Sequence, residues 1–194
     1  MMKRAIVLLI LIVVPSVWAH PHIWIDGWYK VHYENDQLNG VEIFWLMDEM
    51  FSSAIILDYD KDRNGQFSKA ESAEIEQKAF KNVGRWNYYT HIEIDGKGIG
   101  EINPQQFSAK IEKQQRILYR FFVPVNKKIK KSTKLKVASY DPTYYTDINI
   151  QTSKVREKGY ASFRRQLGWK KMLHRTEGWG DIHHQEAVFT LWLK

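Results

Sequence analysis

The chain has 194 residues, and its 29 basic and 22 acidic side chains give a formal charge of +7 at neutral pH. It contains no cysteine, which excludes disulfides, thiolate metal sites, cysteine nucleophiles and a lipid-anchored cysteine. The length suits one domain with a full core, and no Pro/Ser linker or internal repeat divides it.

The first residues set the expected compartment. Met1-Met2-Lys3-Arg4 is basic, Ala5 to Val14 is continuously apolar, and Val17-Trp18-Ala19 places small residues at the −3 and −1 positions of a cleavage site. The apolar run is shorter than the roughly 20 residues a spanning helix needs. The expectation is a signal peptide over 1–19, cleaved after Ala19, and a single periplasmic domain over 20–194. An exported chain seldom meets nucleic acid, so the positive charge points to solubility or to a partner-facing or peripheral membrane contact.

His22 to Tyr33 alternates as a strand. Ile23, Ile25, Tyr29, Val31 and Tyr33 share one face, and Trp24, Asp26, Trp28, Lys30 and His32 share the other. Asn39-Gly40 reads as a tight turn leading to a second strand through Val41, Ile43, Trp45 and Met47.

Helical periodicity follows. Asp48 is an N-cap candidate before Met50, Phe51, Ala54, Ile55 and Leu57. Residues 60–71 then match D-x-[DN]-x-[DN]-G-x₅-E at every fixed position. Asp60, Asp62 and Asn64 occupy loop positions one, three and five. Gly65 stands where the chain must turn, Gln66 offers a backbone carbonyl, Ser68 acts through a water, and Glu71 closes the site with both oxygens. A hard cation such as Ca²⁺ takes about six to eight oxygens, and this spacing wraps them around one point. Ser68-Lys69-Ala70-Glu71 is also a capping box, opening a second helix through about Val83. The unit is EF-hand-like but lone. That argues against a paired sensor and for a stabilising site on another fold.

Further strands are expected at Tyr88–Asp95, Phe107–Glu112, Arg116–Val125, Leu135–Tyr140, Thr146–Gln151 and Glu186–Leu193, with a turn at Asp95-Gly96 and a basic loop at Lys127–Lys131. Between 152 and 185, the spacing of Tyr160, Phe163, Leu167 and Met172 predicts an amphipathic helix. The fold class is therefore α+β, mainly an antiparallel β-sandwich with an EF-hand-like helix–loop–helix inserted over 48–86.

Imidazole suits Zn²⁺, Ni²⁺ and Cu²⁺. His20-Pro21-His22 would stand at the mature N-terminus, and Pro21 lacks the N–H that a square-planar backbone site requires. Any ion there would be held by the side chains of His20 and His22, with His91, His183 and His184 as candidate supplements. His32 and His174 read as ordinary histidines. No H-E-x-x-H or G-x-S-x-G motif is present and nothing fixes a catalytic carboxylate pair, so a non-enzyme is expected.

Five segments carry a resemblance: Ala19-His20-Pro21-His22, Asp48 to Ser52, the loop 60–71, Asn87-Tyr88-Tyr89-Thr90, and Tyr140 to Tyr144. In order and spacing the chain resembles bacterial periplasmic proteins labelled as the periplasmic component of an uncharacterised ABC-type transport system. These are similar to the soluble partners of nickel/cobalt-type permeases and Zev-type zinc uptake systems. The resemblance implies a metal-binding protein supporting uptake of Zn²⁺, or of Ni²⁺ or Co²⁺, by a membrane permease. Ca²⁺ would sit in the loop as a structural clamp. The alternative is a Ca²⁺-stabilised envelope interaction module with no transition-metal role.

Overall fold

Alternating burial organises the structure from its first strand. A computed structural model describes residues 22–129, 132–160, 163–176 and 180–193. The expected signal peptide and His20 lie outside these residues. Along β1 (Ile23–Glu34), Ile25, Tyr29, Val31 and Tyr33 are buried while Asp26, Trp28, Lys30 and His32 stay partly exposed, as the alternation predicts. β1 pairs antiparallel with β2 (Gln37–Met47).

The chain then leaves the sheet through α1 (Glu49–Tyr59), α2 (Lys69–Lys78) and a 3₁₀ segment at Phe80–Tyr89. It returns as β3 (Thr90–Ile94), β4 (Lys97–Gly98), β5 (Gln105–Ile111), β6 (Ile117–Lys128), β7 (Ser132–Ser139), β8 (Thr146–Ile150) and β9 (Arg156–Lys158). A long hairpin, β10 (Phe163–Thr176) and β11 (Gly180–Leu193), completes the described chain. No helix among the described residues is long and apolar enough to cross a membrane.

Two sheets result. One runs β5-β6-β2-β1-β8, with β9 also on β1, and the other runs β10-β11-β7-β3-β4. Most pairings are antiparallel, while β8 and β9 join β1 in parallel. The architecture is mostly β with added helices, consistent with the α+β expectation. The helical unit connects β2 of the first sheet to β3 of the second.

One hydrophobic core joins the layers. Tyr29, Val31, Ile43 and Phe121 come from the first sheet, Ile92, Leu135, Val137, Phe189 and Leu191 from the second, and Ile55, Ile75 and Phe80 from the helical unit. Trp45 lies at its centre, edge-on to Phe121 at 4.9 Å. The Tyr29 hydroxyl donates to Ser139 Oγ at 3.1 Å, a buried bond between the sheets.

Three sequence expectations need correction. Residues 163–176 form strand β10 and not a helix, because every residue from Phe163 to Thr176 is registered against β11. Among the described residues β10 pairs only with β11, and both of its faces are partly covered, with Trp169 packed against the core on one and Met172 and His174 half-buried on the other. Its apolar residues therefore lack clean alternation, and their spacing mimicked a helical stripe. Asn39-Gly40 is not the turn. The chain turns at Asn35-Asp36, and Gly40 lies inside β2 at a shift in its register against β6. A Cβ at Gly40 would come within 2.4 Å of the Val123 carbonyl, so glycine is required there by close approach of the strands. Finally, α2 ends at Lys78, and the path to Val83 continues as 3₁₀. On α1 the apolar residues do not all face inward, since Met50 and Leu57 are exposed while Ile55 and Ser52 are buried.

Candidate functional site

The resemblance-bearing segments are tied into the backbone. Asp48 caps α1 by accepting from Phe51 N at 2.8 Å and also accepts from Trp24 N at 2.9 Å. Ser52 Oγ, fully buried, accepts from Ile117 N at 2.9 Å and fixes α1 to β6. Asn87, Tyr88 and Tyr89 have φ of 51°, 49° and 48°. Asn87 holds that turn, accepting from Ile102 N at 2.9 Å and donating to the Thr90 and Gly100 carbonyls. Asp141 accepts from Thr143 N, Thr143 Oγ1 and Thr146 N, closing the turn before β8. These residues build the frame on which two candidate ligand sets stand.

The first set is the α1–α2 loop. Asp60 ends α1 and Ser68 caps α2, with the reciprocal Ser68–Glu71 capping box formed. Gly65 N donates to Asp60 Oδ2 at 3.0 Å, and Asn64 N donates at 3.2 Å to both Asp60 Oδ1 and Asp62 Oδ1. Gln66 N donates to Asn64 Oδ1 at 2.8 Å. Gly65 has φ of +77° with open space around its Cβ position, so glycine is needed here for conformation and not for room. Glu71 reaches back to accept from Lys61 N at 2.9 Å and Ser68 N at 2.8 Å. Those bonds, first from the Ser68 backbone and side chain and then from the Lys61 N–H, hold its carboxyl below the usual carboxylate range. The outcome is that Asp60, Asp62 and Glu71 each bring a carboxylate oxygen within 4.8 Å of the others. Asp60 and Glu71 are buried. Carboxylate oxygens converging at this spacing suit a hard cation.

The second set is on the outer face of the second sheet. Tyr140, just after β7, is surrounded by imidazoles: His91 of β3 at 4.0 Å between ring centroids, His184 of β11 at 4.3 Å and His174 of β10 at 4.9 Å. These residues line a polar hollow of about 390 Å³ with Glu93, Lys136, Met172 and Glu186. Lys136 spans the two carboxylates, at 2.9 Å from Glu93 and 3.9 Å from Glu186. Burial, and then the His174 and His91 charges, push the His184 pKa down to about 4. Burial likewise lowers that of His91. The His184 imidazole is therefore neutral at physiological pH. His91 Nε2 and His184 Nδ1 are buried without a hydrogen-bond partner among the described residues.

The predicted histidines are thus sorted differently from the sequence expectation. His91 and His184 share the hollow, but the Tyr140 ring lies between them. His183 is exposed and, as His184's neighbour on β11, points to the opposite side of the sheet, beside Asp147 and Lys171. His22 rests its ring 4.9 Å from Tyr145 and is not among the residues lining the hollow. Among the described residues, the carboxylate trio is the one group of three or more His, Asp or Glu ligand atoms within 4.8 Å of one another, so His22, His91, His183 and His184 form no ready-made centre. Sequence reasoning missed His174, Tyr140 and Met172. Strand alternation places Met172 and His174 on one face, whereas the apolar spacing of that segment favours a helix.

Comparison with known proteins gives relatives that are themselves uncharacterised. An uncharacterised 15.5 kDa protein in the trpE 3′ region of Spirochaeta aurantia is 33% identical over 99 residues, covering 51% of this chain and 70% of that protein. An uncharacterised protein of Haemophilus influenzae is 32% identical over 148 residues, covering 74% of this chain and 69% of the relative. The model of a family described as a protein of unknown function, DUF1007, matches residues 5–167, so the frame of capped loops and strands described above is that of a member of the DUF1007 family.

Proposed function

We propose that this chain is an exported, periplasmic metal-binding protein that supports uptake of zinc, or of nickel or cobalt, by a membrane permease, and that its α1–α2 loop is an EF-hand-like Ca²⁺ site. The observation that carries the Ca²⁺ part of the reading is the convergence of Asp60, Asp62 and Glu71 within 4.8 Å between two capped helices. Asn64, Gln66 and Ser68 supply the remaining oxygens of the pattern. In this reading Ca²⁺ is a clamp. It ties the end of α1 to the start of α2, and through Ser52 and Ser72 to β6 and β5.

The transition-metal part rests on imidazole chemistry and on the resemblance to soluble partners of nickel/cobalt-type permeases. His20 and His22 would capture the ion at the mature start, where a transferable site is accessible to a permease. Neutral nitrogen ligands and the oxygen loop prefer different ions, so the two sites act independently.

A second reading, a Ca²⁺-stabilised envelope interaction module, is favoured by one observation. Met50 and Leu57 on α1 are 67% and 80% exposed, an apolar presentation beside the loop. Zn²⁺ titration of the processed protein in excess Ca²⁺ separates the readings: a bound equivalent supports the first, and none supports the second.

A further inference from the structure

We infer that the β10–β11 hairpin carries a copper(I) site whose ligands are the imidazoles of His174 and His184 and the thioether of Met172. It involves neither the carboxylate loop nor the N-terminal histidines, so it stands or falls separately from the proposed function.

The register of the hairpin makes the set. Met172 lies directly opposite His184, and His174 is two residues along the same strand, on the same face and diagonal to His184. Directly opposed side chains have Cβ atoms about 5 Å apart and diagonal ones about 7–8 Å, within the span that long side chains bridge around one ion. The Tyr140 ring packs on both imidazoles, at 4.3 Å from His184 and 4.9 Å from His174, and so restricts their orientation from one side. His184 is only 9% exposed, and its buried Nδ1 has no hydrogen-bond partner among the described residues. A buried polar nitrogen without a partner is costly, and coordination would satisfy it.

The donor chemistry selects the ion. The set is two imidazole nitrogens and a thioether, with no carboxylate and, in a cysteine-free chain, no thiolate. The nearby carboxylates, Glu93 and Glu186, face Lys136. Thioether and imidazole donors suit soft, monovalent Cu(I), whereas zinc sites are built from thiolate, imidazole and carboxylate. His91 is not a ligand, because the Tyr140 ring separates it from His184.

The test is anaerobic competition for Cu(I) between the protein and bathocuproine disulfonate, with Zn²⁺ affinity measured in parallel. The parent should bind one equivalent. Met172→Leu, which conserves volume, should weaken Cu(I) at least tenfold while leaving Zn²⁺ affinity within twofold. His184→Gln should weaken Cu(I) more, and a His20→Ala/His22→Ala variant should bind Cu(I) like the parent. X-ray absorption of the parent complex should show one sulfur among nitrogen scatterers, a readout independent of how the variants fold. Parental Cu(I) affinity in Met172→Leu, an all-nitrogen shell, loss of Cu(I) with the N-terminal pair, or no stoichiometric Cu(I) complex would each overturn the assignment.

Discussion

The Ser52 hydroxyl accepts the backbone N–H of Ile117 at 2.9 Å in a fully buried setting, and this bond seats α1 on β6. Ser52 is the last residue of the Asp48–Ser52 segment, whose first residue caps the same helix. Removing the hydroxyl strands a buried strand N–H, which costs about 1–3 kcal/mol. Ser52→Ala should show that loss in urea unfolding, whereas Ser53→Ala, at an exposed position, should stay within about 0.5 kcal/mol of the parent.

Gly40 should be equally intolerant. A Cβ there meets the Val123 carbonyl at 2.4 Å and the Phe122 ring at 2.5 Å, while Gly98 has nothing within 4 Å. Gly40→Ala is expected to destabilise by about 1–3 kcal/mol through forced backbone movement. Gly98→Ala serves as the neutral control, and thermal melts of the two variants compare them directly.

The acid response should involve Glu42. Its carboxyl is buried in the first sheet, which alone would raise its pKa, but the His32 hydrogen bond and the charges of Arg120 and Lys30 outweigh burial and leave it lowered. A carboxylate depressed in the folded state binds fewer protons than in the unfolded chain. Its stabilisation is therefore full above its unfolded pKa, near 4.5, and is lost as pH falls through the folded value. Glu42→Gln should flatten the fall in stability below that pH. An unchanged slope between parent and variant in acid denaturation would show that Glu42 does not contribute.

Calcium should raise the melting temperature. A lone loop with three carboxylates is expected to bind in the weak range, about 10⁻⁴–10⁻³ M. A 10- to 100-fold excess then stabilises by about 1–3 kcal/mol. Asp60→Ala combined with Glu71→Ala should abolish the effect. Melting curves that coincide from chelator to millimolar Ca²⁺ would show that the loop is not a Ca²⁺ site.

The parts of the fold legible in the sequence are those where local chemistry decides. β1 alternates because one face is in the core, and the capping box at Ser68–Glu71 starts α2 where the pattern places it. The loop is legible for the same reason: its candidate ligand residues lie within twelve positions, and Gly65 needs only its own φ. The histidine set was not legible. His91, Tyr140, His174 and His184 come from separate strands or strand ends, and only the order β10-β11-β7-β3 brings them together. Misreading β10 as a helix placed Met172 and His174 on the wrong periodicity. Asn39-Gly40 misled because a glycine required by strand approach looks, in sequence, like one required by a turn.

In the proposed function two chemically different cations bind at two separate places. Isothermal titration of Zn²⁺ into the Ca²⁺-saturated, processed protein tests it most directly, using the parent, His20→Ala/His22→Ala and Asp60→Ala/Glu71→Ala at pH 7 and pH 5.5. This reading predicts one Zn²⁺ equivalent in the parent and in the loop variant. It predicts binding at least tenfold weaker, or about 1.4 kcal/mol, in the histidine variant, and weaker binding at the lower pH because imidazole, with an ordinary pKa of about 6.5, must be neutral to coordinate. Absence of Zn²⁺ binding, parental affinity in the histidine variant, or Zn²⁺ that displaces Ca²⁺ from the loop would contradict it.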